Sequence, residues 1–368
     1  MPDATVTTGS ASIKSSTEVT LSGSFANATG MPVEVGFWYG TSSNNLNQNV
    51  TASLPSGTPG DFSVTLTGLV PGETYVYQAY AIVQGTGVYS SQVETFWAPS
   101  TQFVEMPGGV KPAVDEDWLE LATAPELGNR YEVETYYDGS NRNYTHCYDK
   151  STYTSLWTAY PLNSTHMGSL SRPGSWNYSP NISEEYQANL CSHSYSGDTY
   201  SRGHMIPNGS RNGNSVMQKQ TFYVTNSVPQ RQNKFNGSIW NALEQALQSV
   251  AKSEEIYIVT GVAFNKVGET KTVSYVSPAD DSSQKCAIPN YFYKVVLKVN
   301  KSGDTVTSAS TIGFWFEHKD YDNSAYENYA VSVDQIEAWT GFDFFVNLPD
   351  VIENSSESNA YWSTFQSF

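Results

Sequence analysis

Apolar and polar residues alternate in Thr17-Glu18-Val19-Thr20-Leu21-Ser22-Gly23. A period of two places every second side chain on one face of an extended strand and would scatter them around a helix. Three more segments of this kind occur within the first hundred residues: Val33-Glu34-Val35-Gly36-Phe37-Trp38-Tyr39, Phe62-Ser63-Val64-Thr65-Leu66 and Tyr75-Val76-Tyr77-Gln78-Ala79-Tyr80-Ala81. Turn residues separate them at the intervals of a β-sandwich. The whole chain has 368 residues, more than one hydrophobic core sustains, so a second domain is expected.

Leu69-Val70-Pro71-Gly72-Glu73-Thr74-Tyr75 leads into the fourth strand. It resembles the turn into the tyrosine corner of fibronectin type III domains. The resemblance implies that the Tyr75 hydroxyl bonds back to the upstream backbone. Residues 1–98 are therefore read as an all-β immunoglobulin/fibronectin-like sandwich. It carries a single lysine, Lys14, no arginine and no catalytic constellation. A spacer or attachment module, to a surface or a carbohydrate, is the expectation.

Residues 99–125 read as a linker, rich in Pro, Gly and acids at Pro107-Gly108-Gly109 and Asp115-Glu116-Asp117, with Trp118-Leu119-Glu120-Leu121 poised to dock on the second domain. From 126 to 368 strands and helices mix. Glu255–Gly261, Tyr291–Val299 and Thr311–Phe316 read as buried strands. Trp240, Leu243, Leu247 and Val250 recur at helical spacing within 238–251. Ser332 and Gln335 form a capping box, and Gly341 terminates that helix. The second domain is thus α+β.

No run of 18 apolar residues exists, so no membrane-spanning helix is expected. The N-terminus lacks the basic start and apolar core of a secretion signal. The three cysteines, Cys147, Cys191 and Cys286, leave one disulfide or none open. His146-Cys147 and Cys191-x-His193 match no standard zinc spacing, and packing or a disulfide is preferred there.

The net charge of −17 opposes binding of a polyanion by the surface at large. One region differs. From Thr199 to Leu243 there is no Asp or Glu, while Arg202, Arg211, Lys219, Arg231 and Lys234 are present. Within it, Tyr200-Ser201-Arg202-Gly203-His204 sets a histidine among cations. Phosphodiester hydrolysis needs a base for water, positive charge for the phosphorane and cations to hold the phosphate in line. Histidine can be that base at neutral pH, and Gly203 would let a bulky polyanion approach the backbone. Alone, a histidine beside arginines is more often a packed or surface residue.

Downstream come Thr225-Asn226-Ser227-Val228-Pro229-Gln230 and Asn236-Gly237-Ser238-Ile239-Trp240-Asn241-Ala242-Leu243-Glu244. Together with Arg202-Gly203-His204, these segments resemble the DNA/RNA non-specific endonuclease family of the ββα-metal superfamily. Its hallmarks are D-R-G-H, then T-N-x-x-P-Q, then N-x-x-x-W-x-x-L-E. Asn236 lies 32 residues past His204, and Glu244 eight past Asn236. The likeness extends over roughly 127–350, through the Tyr329–Glu337 run and Thr340-Gly341-Phe342.

The resemblance implies roles. His204 corresponds to the general base, and Asn236 to the single direct protein ligand of a divalent metal, Mg²⁺ or another such as Mn²⁺. Glu244 corresponds to the carboxylate that orients metal-bound water, and Arg202 to the arginine at the scissile phosphate. Arg172 is a candidate for an upstream phosphate contact. Arg211, Arg231 and Lys234 are further candidates for substrate binding. Two positions depart from the pattern: Ser201 replaces the usual Asp, and Gln248 stands where some relatives have Arg. The other four histidines, His146, His166, His193 and His318, match nothing and read as packing or surface.

The function expected is metal-dependent, sugar-non-specific cleavage of single- and double-stranded DNA and RNA, with 5′-phosphate products. A binding protein on an inactivated nuclease fold, or a phosphodiesterase or phosphatase for small substrates, is the alternative. A fibronectin-like module joined to a nuclease suggests a secreted, periplasmic or cell-surface protein.

Overall fold

The computed structural model describes residues 4–15, 17–27, 31–42, 45–57, 59–70, 73–98, 118–125 and 130–368. It divides into two compact units, Met1–Glu105 and Met106–Phe368.

The first unit holds two antiparallel sheets. Glu18–Asn27 lies between Ala4–Ser15 and Gly60–Thr67 in one. The other orders Gln48–Ala52, Glu34–Gly40, Thr74–Val83 and Thr86–Tyr89, with Glu94–Trp97 also paired to Thr74–Val83. The alternation in the sequence decides which side chains face inward. Val19, Leu21 and Phe25 meet Val35, Phe37, Tyr77 and Ala79 in one core. Tyr75 accepts a hydrogen bond on its hydroxyl from Val70 N at 3.0 Å.

The second unit is built on a seven-stranded sheet of antiparallel neighbours. Its order is Ala330–Val331, Thr305–Glu317, Tyr291–Ser302, Ile256–Ala263, Thr154–Leu162, Asn141–Asp149 and Tyr131–Asp138. The central strands are buried throughout, which explains their continuous apolar runs. Trp240, Leu243 and Leu247 pack on Tyr160, Ile258, Phe292 and Val296 in one core of this unit. The helix Val333–Thr340 begins where Ser332 Oγ accepts from Gln335 N at 3.1 Å and stops at Gly341, whose φ of 74° few other residues adopt at low cost. Ile336 of this helix lies against Gly313, where no side chain stands in its way.

Residues 118–125, read from the sequence as the end of a linker, are packed parts of the second unit. Glu120 bonds Arg142 at 2.7 Å, Trp157 Nε1 donates to Thr123 O at 2.8 Å, and Thr123 N donates to Asp343 O at 2.8 Å. The Pro, Gly and acid signals at 107–109 and 115–117 lie outside the described residues. The helix expected over 238–251 is regular only from Asn241 to Val250. Before it, Gln232–Trp240 forms a wide, irregular helical segment broken at Ser238 (φ −126°, ψ −106°). All three cysteines are free thiols.

Candidate active site

Tyr200–His204 and Ser227–Arg231 form an isolated antiparallel strand pair, with His204 opposite Ser227. The irregular segment and the helix Asn241–Val250 come directly after it. The first strand, the irregular segment and the helix all contribute to the lining of a cleft of about 500 Å³. Arg172, Arg202, His204, Asn236, Glu244 and Gln248 line it, and Glu244 is the one carboxylate among its lining residues.

The His204 ring is wedged between Trp176 (4.6 Å between centroids) and Phe222 (4.8 Å, edge to face). Its Nε2 is buried without a hydrogen-bond partner. Burial, then the Arg172 and Arg202 guanidiniums, pull the imidazole down to about 3. At neutral pH the ring is therefore uncharged. The loop after it is clamped by Asn226. Asn226 Oδ1 accepts from Ile206 N at 3.0 Å, and its Nδ2 donates to Ile206 O (3.1 Å) and Thr221 O (2.8 Å). The Thr-Asn segment of the sequence pattern therefore acts by holding His204's neighbours in place.

Arg202 donates to Leu190 O at 2.6 Å and lies over the Trp176 ring at 5.1 Å. Arg172 lies over the Phe222 ring at 4.9 Å. Among the described residues neither arginine has a carboxylate partner, so both charges remain for an anion. Asn236 Nδ2 donates to Ser201 Oγ (3.2 Å) and Gln232 Oε1 (3.4 Å), and among the described residues its Oδ1 has no hydrogen-bond partner. Glu244, in the first turn of the helix, has Lys294 Nζ 4.0 Å from its Oε1. Burial pushes the Glu244 carboxyl up and Lys294 draws it back; burial lowers the Lys294 ammonium and Glu244 opposes that. Lys294 itself is fully buried, its Nζ 2.6 Å from Thr260 Oγ1 and 4.5 Å from the Trp240 ring.

The donor set suits one hard divalent cation. An amide oxygen and one carboxylate leave most of a coordination shell to water and substrate, which matches an ion that dehydrates reluctantly. Asp334, Glu337 and Glu357, a group elsewhere in the unit, share no residue with the cleft.

Several expectations need correction. Arg211 does not reach the cleft. It is fully buried, bonded to Asn143 Oδ1 (2.6 Å), Asn143 O (2.8 Å), Pro161 O (2.8 Å) and Ser210 O (2.7 Å), and braces the sheet from within. Arg231 and Lys234 also lie outside the cleft lining, held by Asp320 (2.8 Å) and Asp322 (3.1 Å). Acids distant in sequence thus offset part of the positive charge of the acid-free stretch. Gly203 is buried, and any Cβ there would fall 2.2 Å from Gln230 Oε1; its smallness admits a neighbouring side chain, not a polyanion. Trp176, Phe222, Ser194 and Lys294 were not singled out, since each belongs to the site only through folding.

The strand pair, the irregular segment and the helix bring the motif residues Arg202, His204, Asn236 and Glu244 to one cleft. Residues 128–351 match the family model of the DNA/RNA non-specific endonucleases, and the chain belongs to that enzyme family. It is 28% identical over 220 residues to "Nuclease 1, mitochondrial" of Schizosaccharomyces pombe, covering 57% of this chain and 66% of that protein. It is 27% identical to a nuclease of Nostoc sp. (58% and 75%) and 24% identical to "Nuclease EXOG, mitochondrial" of Mus musculus (74% and 72%). A crystal structure of the EndoG/EndoGI complex is similar at a TM-score of 0.49 and 20% identity, over 60% of this chain and 88% of that one. The expected exported location is overturned: relatives whose names carry a compartment are mitochondrial. No helix among the described residues is long and apolar enough to cross a membrane.

Proposed function

We propose that the chain is a divalent-metal-dependent, sugar-non-specific endonuclease that hydrolyses DNA and RNA to 5′-phosphate ends. The observation that carries this reading is the meeting in one cleft of an uncharged His204 ring, the Asn236 amide, and Arg172 and Arg202, neither of which has a carboxylate partner among the described residues.

His204 takes the proton of the attacking water on its imidazole. Arg202 and Arg172 hold the scissile phosphate and stabilise the charge that grows on it. Asn236 Oδ1 would hold the metal, Mg²⁺ or Mn²⁺, which would supply positive charge to the transition state. Glu244 would face the ion from the helix and accept hydrogen bonds from water beside it. Contacts to phosphate carry no base code, so the cleft accepts both sugars and every sequence.

The first unit is read as a fibronectin type III-like spacer or attachment module. The Tyr75–Val70 bond and the strand order support that reading.

Incubation of plasmid DNA and structured RNA with the protein, in Mg²⁺ or in EDTA, tests the proposal. Cleavage of both, dependent on metal and yielding ends that ligate directly, is expected. Absence of metal-dependent cleavage refutes it.

A further inference from the structure

Away from the cleft, the helices Val333–Thr340 and Asp350–Ser356 gather acidic side chains. Asp334, Glu337 and Glu357 each offer a carboxylate oxygen, and the three oxygens lie within 4.8 Å of one another. Glu353 and Asp343 add to the negative field around them. Among the described residues no Lys or Arg is paired with any of these five.

Glu357 is the decisive member. It is 5% exposed, and its Oε1 is buried with no hydrogen-bond partner. Its backbone cannot swing it away, because Glu357 O accepts from Val333 N at 3.0 Å. Glu353 Oε1 is likewise buried and unpartnered. Glu337 is held differently, its Oε1 accepting from Phe344 N at 2.9 Å. A buried carboxylate without a partner is costly, and like charges beside it add to the cost. Two things relieve it: a proton or a cation. Burial and the neighbouring acids push Glu357 up to about 9, so one proton is the competing solution.

The gathering of three carboxylates at one point favours a cation, and Ca²⁺, which takes about six to eight oxygen ligands in flexible geometry, suits them better than Mg²⁺, which is usually held by one or two carboxylates. Three oxygens within 4.8 Å can all reach one calcium ion with little movement. We propose that Asp334, Glu337 and Glu357 form a calcium site that fastens the end of the helix Asp350–Ser356 to the start of the helix Val333–Thr340. This site shares no residue with the cleft, and it stands whether or not the chain cleaves nucleic acid.

The test uses the full chain, stripped with EDTA and carrying Asn236→Ala so that the cleft ligand is removed. Calcium chloride is titrated calorimetrically and its effect on thermal unfolding is followed. One ion per chain is expected, with a rise in unfolding temperature of about 5 °C at saturating calcium. Glu357→Gln, or the exposed-site variant Asp334→Asn should the former fold poorly, should weaken binding at least about tenfold. No binding at millimolar calcium, or binding that both variants leave intact, overturns the proposal in favour of a shared proton. Equal affinity for Mg²⁺ overturns the choice of calcium.

Discussion

Asn236 Nδ2 and Ser201 Oγ are 3.2 Å apart, so the residue that departs from the family's Asp-Arg-Gly-His pattern is the one that orients the proposed metal ligand. By hydrogen bonding to the amide nitrogen, the hydroxyl leaves Oδ1 aimed away from the protein's own donors. Ser201→Ala should raise the half-saturating Mg²⁺ concentration about 10–100-fold while the rate at saturating metal changes little. Magnesium titration of initial rates checks this, and an unchanged half-saturation point would remove Ser201 from the account.

His204→Ala should lower kcat by about 10²–10⁴-fold or more, since a positioned base contributes that much alone. The ring sits between Trp176 and Phe222, so thermal unfolding must be measured alongside. Full cleavage by a folded variant would disprove the assignment of the base.

Arg211 predicts the opposite pattern. Its four hydrogen bonds run to internal groups. Arg211→Met leaves buried acceptors unsatisfied and should cost about 3 kcal/mol or more of stability. The fraction that remains folded should cleave at the normal specific rate. A stable variant with weakened substrate binding would restore Arg211 to the phosphate contacts.

Lys294→Met would leave Glu244 buried beside no cation, and its carboxyl would rise further. Activity at pH 7 should fall about tenfold and recover as pH is raised and Glu244 ionises. A deficit of the same size at every pH would point to packing alone.

His146 makes stability fall in acid. Burial lowers its imidazole to about 3 in the folded protein, against about 6.5 unfolded. Between these values the unfolded chain binds a proton that the folded chain refuses. Stability is therefore intact above about pH 6.5 and declines toward pH 3 by up to about 1.4 kcal/mol per pH unit. In denaturant midpoints from pH 7.5 to 5, the advantage of the natural protein over His146→Gln should shrink as pH falls. A constant difference would refute it.

Local pattern carried much of the architecture. The alternation at 17–23 and 75–81 falls inside strands, and Ser332, Gln335 and Gly341 mark the ends of a real helix, because these signals depend on neighbours a few residues away. His204, Asn236 and Glu244 meet in one cleft because the strand of His204 pairs with Ser227–Arg231, which runs directly into the segments that carry Asn236 and Glu244. What sequence order concealed was pairing across long separations. Asp320 and Asp322 reach back to Arg231 and Lys234, Asn143 captures Arg211, and Lys294 arrives under Glu244 from a central strand. None of these can be read from composition, because each is decided by which strands lie side by side. The break at Ser238 was equally hidden, since the apolar spacing from Trp240 onward continues toward it without interruption.

Leu243 and Glu244 are adjacent residues on different faces of one helix, the first sealed in the sheet core and the second in the cleft. Thermostabilising redesign of that core would therefore act on the reaction as well. Any repacking beneath Leu243 that rolls the helix by a fraction of a turn swings the carboxylate with it. Engineers seeking a hardier enzyme would do better to leave this helix untouched and work on the outer strands of the sheet.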